Sequence, residues 1–282
     1  MLLFWKLLGH VDSLEVLAHR MLWSAVFLLP ICLITCRFAF FGLFKQRRAR
    51  LILLGAGLLC AFNWGTFIFA INSGHILQTS MGYYINPLMS IAIGLLFFRE
   101  RLSLIQKIAL ILAAIGVLYF TIDYGSFPWM SFALATSFAL YGALKKACGY
   151  PALPALAVES TMVAPLALAY VAVAFFLPGH AFLALDASGA LSSSSLITTL
   201  LLVGGGILTF IPLLLFSDAV NTVPLSWMGF MQYITPTITL ILGVFAFQEA
   251  FTHAHAICFA LIWSGLLLIV VESFVKQRRT RQ

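Results

Sequence analysis

The sequence predicts an all-α membrane protein made of two inverted five-helix repeats, with nine full spans and a partial first one. Three observations carry that expectation: an extreme apolar composition, basic residues confined to alternate connections, and a self-match at an offset of 149 residues.

Of 282 residues, 62% are hydrophobic and 9% are charged. A water-soluble chain of this length needs polar side chains to cover its surface, whereas a helix bundle in lipid faces hydrocarbon with apolar ones. A span needs about 20 apolar residues to cross about 30 Å of hydrocarbon. Nine such runs follow one another at 14–36, 51–73, 77–98, 104–122, 127–144, 153–177, 196–219, 225–247 and 254–274, preceded by the short run 2–8. Only the connection at 178–195, with Gly179, Asp186, Gly189 and Ser192 to Ser195, is long, and its composition is that of an exposed loop.

The formal charge of +7 does not point to nucleic acid, because the basic residues sit in short clusters between apolar runs. Arg37, Lys45, Arg47, Arg48 and Arg50 follow the first full run, Arg99, Arg101 and Lys107 the third, Lys145 and Lys146 the fifth, and Lys276, Arg278, Arg279 and Arg281 the ninth. Alternate connections therefore hold all but Lys6 and Arg20 of the 16 basic residues. Lys and Arg are retained in the cytoplasm, so the C-terminus is expected there, in a multi-pass protein of the cell inner (plasma) membrane.

Shifted by 149 positions, residues 55–118 align with 204–267 without a gap and with 16 identities in 64 positions. The matches include Gly55 with Gly204, Gly57 with Gly206, Asn72 with Asn221, Tyr84 with Tyr233, Pro87 with Pro236, Gly94 with Gly243, Glu100 with Glu249 and Gly116 with Gly265. The matched segments lie five spans apart, and an odd number turns the second copy upside down. Repeats are thus expected at 1–124 and 125–282. Two similar bundles of opposite orientation around one midplane site are a physical route to alternating access, so the organisation points to transport.

Several passages together resemble a known family: Phe4-Trp5-Lys6-Leu7-Leu8, the segment from Glu15 to Arg20 with Trp23-Ser24, Asn63-Trp64, Ala70-Ile71-Asn72, the segment from Gly82 to Leu88, and that from Gly229 to Thr237. Over essentially its whole length the chain is similar to the EamA-like drug/metabolite transporters, and within them to the RarD type of chloramphenicol-sensitivity permeases. The resemblance implies ten spans, both termini in the cytoplasm, and a permease for small organic metabolites or drugs. The start departs from the family: residues 2–8 cover only about 10 Å at 1.5 Å per residue, which points to a late start codon or a shortened copy.

Polar groups inside spans are costly and mark pathways or helix-to-helix hydrogen bonds. On that ground the substrate pathway is expected to include Glu15, His19 and Arg20, at one-turn spacing so that Glu15 reaches His19 or Arg20; Asn63, Trp64 and Asn72; Tyr83, Tyr84, Asn86 and Pro87 beside Gly82; and their repeat counterparts Gln232, Tyr233 and Pro236. Proline frees a carbonyl one turn back, so these last two segments are expected to be kinked. Glu159, about six residues inside its run, is the candidate proton carrier, because desolvation favours the neutral form of an unpaired carboxylate. Glu100 and Glu249 lie at run ends and are expected to cap helices or order loops.

The five cysteines lack ligand spacing, and His253 and His255 have no carboxylate or cysteine to complete a metal site, so neither a metal nor a cofactor is expected. No nucleotide-binding loop of the Gly-rich Lys-Ser/Thr kind exists, which makes a secondary transporter the expectation. An inactive truncated paralogue or a non-transporting membrane subunit is the alternative. An intramembrane enzyme is disfavoured, since no nucleophile with a base, carboxylate pair or metal cluster gathers in the spans. The partners expected are a small-molecule substrate and the lipid bilayer, without nucleic acid, and a homodimer is left open.

Overall fold

A computed structural model of the chain describes residues 4, 7–73, 75–176, 179–184, 192–246 and 252–279. Regular structure among them is entirely α-helical: α1 Ser13–Lys45, α2 Arg47–Asn72, α3 Ile76–Phe97, α4 Leu104–Asp123, α5 Trp129–Cys148, α6 Ala152–Ala174, α7 Ser193–Thr222, α8 Leu225–Gln232, α9 Ile234–Ala246 and α10 His253–Arg279. Helices α1 to α4, α6, α7 and α10 are each long and apolar enough to cross a membrane.

Local chemistry sets the helix ends. The Asp12 carboxylate accepts from the amides of Leu14 and Glu15 to start α1. At 33 residues, α1 is about 50 Å long and exceeds a bilayer core. Its backbone leaves helical geometry at Cys36 (φ −144°, ψ 40°), where the apolar run gives way to Arg37. Ser103 and Gln106 form a reciprocal capping box at the start of α4. Gly149, with φ +65°, turns the chain out of α5 in the left-handed conformation that glycine adopts at low cost, and Pro151 then opens α6.

The fifth and eighth apolar runs take different forms from the others. Helix α5 carries Lys145 and Lys146 in its last turn. The eighth run is divided at Tyr233 into α8 and α9, because Pro236 has no N–H to donate and its ring crowds the carbonyl of Gln232. Its repeat counterpart Pro87 lies inside α3, which continues through it from Ile76 to Phe97.

The chain forms two compact units, and each draws on both sequence repeats. One comprises Met1–Ile68 with Leu144–Thr222, the other Phe69–Ala143 with Val223–Gln282. In the first, α1 packs along α6 and α7. Its core includes Leu28, Cys32, Leu53, Leu156, Val158 and Phe210. In the second, α4 packs on α10 and α3 on α8, around Met81, Tyr84, Val117, Phe120 and Tyr233.

Two pairs of repeat-matched glycines sit at close helix crossings. A Cβ on Gly116 would lie 3.1 Å from the carbonyl oxygen of Cys258, and one on Gly265 would lie 3.0 Å from Cα of Ala109. Ala109 and Cys258 are themselves related by the 149-residue offset, so each contact is the image of the other. Gly116 is therefore level with Cys258 and Ala109 with Gly265, which makes α4 and α10 antiparallel. Ser103, at the start of α4, donates to Glu272 late in α10, in keeping with that direction. In the first unit a Cβ on Gly57 would meet Val163 of α6 at 2.5 Å, and one on Gly206 would meet Trp23 of α1 at 2.5 Å. Small residues at such positions let helix backbones approach closely without a hydrophobic driving force in lipid. Elsewhere Ile34, Phe38 and Phe176 are more than four-fifths exposed, the outward apolar cover that a bilayer solvates.

Candidate functional site

The sequence-expected residues fall into two sets, one in each unit. In the first unit, α1 presents two stripes at helical spacing. Glu15, His19 and Trp23 form one. The Glu15 carboxylate accepts from the amides of Ala181 at 2.9 Å and Phe182 at 3.1 Å, so it pins the segment that follows α6. His19 Nε2 lies 4.0 Å from Glu15 Oε1, and Trp23 Nε1 donates to His19 Nδ1. The Phe182 ring rests 4.6 Å from that of His19. This part of the connection at 178–195 is thus folded onto α1, where the composition had suggested an ordinary exposed loop.

Arg20 and Ser24 form the other stripe, turned to α7. Arg20 Nε donates to Thr209 Oγ1 at 3.1 Å, and its guanidinium carbon lies 4.5 Å over the Trp64 ring. At that distance the cation sits against the face of the indole ring. Ser24 Oγ donates to the carbonyls of Arg20 and Gly206.

Between these helices lies a small cavity of about 40 Å³. From α2 it is lined by Gly57, Cys60, Ala61 and Trp64, and from α7 by Thr209, Phe210 and Leu213. Cys60 matches Thr209, Ala61 matches Phe210 and Trp64 matches Leu213 at the 149-residue offset, so the two walls are the same stripe of the two repeats. Met21 and Ser24 of α1 and Leu156, Glu159, Ser160 and Val163 of α6 complete it. Each wall repeats at three- and four-residue intervals, as one helix face must.

Glu159 is not the unpaired carboxylate considered above. Lys145 Nζ donates to its Oε2 at 2.8 Å, and both side chains are buried. Lys145 had been grouped with the basic residues of a cytoplasmic connection. Across the short turn at Gly149, Lys145 from the last turn of α5 reaches Glu159 of α6 and is buried. Removing either charge alone would strand the other in a low-dielectric interior. Glu159 lines the cavity, Lys145 reaches it through Glu159, and Arg20 touches the lining residues Trp64 and Thr209. Asn63 is half-buried on α2, and Asn72 ends that helix with its side chain outside the described residues.

In the second unit, Gln232 Oε1 accepts from Asn86 Nδ2 at 3.0 Å and from Ser90 Oγ at 3.2 Å. Asn86 Oδ1 and Gln232 Nε2 are buried without a partner there. Tyr84 and Tyr233 are both packed in the core rather than along an opening. Tyr84 meets Phe120 and Phe259 edge to face, and Tyr233 is 1% exposed. Tyr83 is 37% exposed. Pro87 and Pro236 are buried, and the Pro87 carbonyl oxygen abuts Gly229 of α8, where a Cβ would lie 2.7 Å away. Glu100 accepts from the amides of Leu225 and Ser226 and so caps α8, while Glu249 lies outside the described residues.

Ser24 stood in the sequence only as part of a motif, and Lys145, Cys60, Ser160 and Thr209 were not singled out. The repeat carried a signal for two of them, since Cys60 and Thr209 occupy equivalent positions one turn after the matched glycines Gly57 and Gly206. Among the described residues no group of three or more His, Cys, Asp or Glu is placed to hold a metal ion.

A model of the EamA-like transporter family matches residues 1–122. The chain is 39% identical to YojE of Bacillus subtilis, described as an uncharacterized transporter, over 98% of this chain and 90% of the other. It is 34% identical to the protein RarD of Escherichia coli, over 98% and 91% respectively. A solved crystal structure shares the fold with a TM-score of 0.66 over 94% of this chain and 90% of its own, at 18% identity.

Proposed function

We propose that this chain, which belongs to the EamA-like transporter family in its RarD-type branch and is a multi-pass membrane transporter, is a proton-coupled permease for small organic metabolites, working by alternating access. The supporting observation is the cavity walled by equivalent stripes of the two repeats, Cys60–Ala61–Trp64 against Thr209–Phe210–Leu213, with the buried Lys145–Glu159 pair at its side. Secondary transporters place their sites where inverted repeats meet, since that position can be opened from either compartment.

At about 40 Å³ the cavity has room for a few water molecules, and it would widen to admit a metabolite in this reading. In this reading the repeats 1–124 and 125–282 are the halves that exchange, the protein lies in the inner membrane, and the C-terminus is cytoplasmic. Glu159 carries the proton and Lys145 holds its charged form between cycles. The transporter family and the transporter-named relatives favour transport over catalysis as the activity proposed.

Reconstitution into liposomes tests this. Uptake or efflux of organic solutes should accelerate when a pH gradient is imposed and slow when it is collapsed. Flux indifferent to the gradient would remove the proton, and absence of flux for every solute would remove the permease.

A further inference from the structure

One small cavity of the first unit has three charged side chains at or next to its lining: Glu159 lines it, Lys145 pairs with Glu159, and Arg20 contacts the lining residues Trp64 and Thr209. Their formal sum is +1. Arg20 is held by the Trp64 ring and by its Nε hydrogen bond to Thr209, and both of these residues line the cavity. A guanidinium is the side-chain cation whose fork matches the two oxygens of a carboxylate. The Ser160 hydroxyl and the Glu159 carboxyl provide for a polar head, and the walls from Val163 and Phe210 for an apolar body.

We infer that the substrate of this site is an organic monocarboxylate with an apolar or aromatic body, and that it binds together with a proton on Glu159. The inference rests on the permease reading and adds the charge class and the sign of coupling. Protonating Glu159 raises the formal charge of the three groups from +1 to +2, so an anion is held more tightly. By reciprocity the bound anion increases the proton affinity of Glu159 by the same factor. An anion and a proton entering together also leave the dry interior with its resting charge, which lowers the cost of carrying a carboxylate through it. The titratable and charged groups nearest Glu159 are Lys145 and Cys148 on α5 and Cys60 on α2, with Arg20 on α1 against the lining residues Trp64 and Thr209; α7 contributes the Thr209 hydroxyl.

The test is calorimetric binding to the full chain in lipid nanodiscs, with phenylacetate, phenylacetamide and phenethylamine as probes of one shape and three charges. Phenylacetate is expected to bind at least about tenfold more tightly than the other two, and at least about tenfold more tightly near pH 6 than near pH 8. Glu159→Gln should hold phenylacetate with one affinity across that range, and Arg20→Gln should weaken it where Arg20→Lys restores part of the loss. The double variant Lys145→Gln/Glu159→Gln keeps the pair neutral, and should fold and lose the pH dependence.

Equal or tighter binding of the amide or the amine overturns the substrate class. So does a phenylacetate affinity that rises with pH, or the absence of phenylacetate binding to folded protein up to about 10 mM. Liposome flux separates the two conclusions: flux of phenethylamine without phenylacetate sinks the carboxylate and leaves transport standing, whereas carboxylate binding without flux of any solute does the opposite.

Discussion

Lys145 and Glu159 are separated by 14 residues of sequence and by 2.8 Å in the fold, and each is the buried charge that compensates the other. A pair of this kind adds little net stability over an apolar one, yet the loss of one member is severe. Lys145→Gln alone should therefore destabilise the protein by about 3–5 kcal/mol, and Lys145→Gln/Glu159→Gln should recover most of that loss. Thermal unfolding of the single and double variants in detergent measures the coupling. A double variant no more stable than the single would show that the pair is not the source.

Glu159→Gln keeps the volume and hydrogen-bonding capacity of the side chain while removing its titration. The variant loses stability as Lys145→Gln does, so it is read beside Lys145→Gln/Glu159→Gln, and both are expected to transport at a rate independent of pH. Proteoliposome flux at several pH values reads this, and an unchanged pH profile would take Glu159 out of the coupling step.

Crossings at matched glycines predict a sharp contrast between neighbours on α7. A Cβ on Gly206 would lie 2.5 Å from Trp23, whereas one on Gly204 meets nothing within 4 Å. Gly206→Ala should cost about 1–3 kcal/mol through forced separation of α1 and α7. Gly204→Ala should be neutral or stabilising by up to about 1 kcal/mol, as alanine is the better helix former. Thermal unfolding of the two variants side by side decides it.

The reciprocal contacts of Gly116 and Gly265 make α4 and α10 antiparallel, which assigns the ends of both helices to opposite faces of the membrane. Tyr124→Cys and His253→Cys should be labelled by an impermeant maleimide from outside intact spheroplasts. Ser103→Cys should react only after lysis, with the C-terminal tail. Labelling of all three from one side would defeat the inverted arrangement.

Glu15 has backbone partners, and its removal should act on the segment after α6. Glu15→Ala leaves the amides of Ala181 and Phe182 without their acceptor, at about 1–3 kcal/mol. Hydrogen exchange by mass spectrometry should show those amides exchanging at least about tenfold faster while α1 itself is unchanged.

The membrane, the helices and the repeat were legible because each is written locally or periodically along the chain. Apolar runs of sufficient length have no stable alternative to a helix in lipid, and equivalent prolines and glycines recur at one offset. The site was legible only in part. Glu15, His19, Arg20 and Trp64 stood out as polar or aromatic groups within spans, and the structure gathers them in one unit. Tyr84 and Tyr233 stood out for the same reason, yet their rings fill the core of the other unit, because a tyrosine buries its ring wherever packing needs the volume.

By itself, then, the sequence determined the solvent, the helical class, the inverted duplication and the family. Tertiary structure alone decided that Lys145 is an internal partner and not a surface charge, that Glu15 is held by backbone amides which carry no side-chain signature, and that Cys60 and Thr209 face one cavity. The physical reason is that hydropathy fixes whether a helix crosses the membrane, while the rotation of that helix about its axis and its distance from its neighbours fix what each side chain meets. Those two quantities are set by close packing at residues such as Gly57 and Gly206, whose contacts lie far away in the chain.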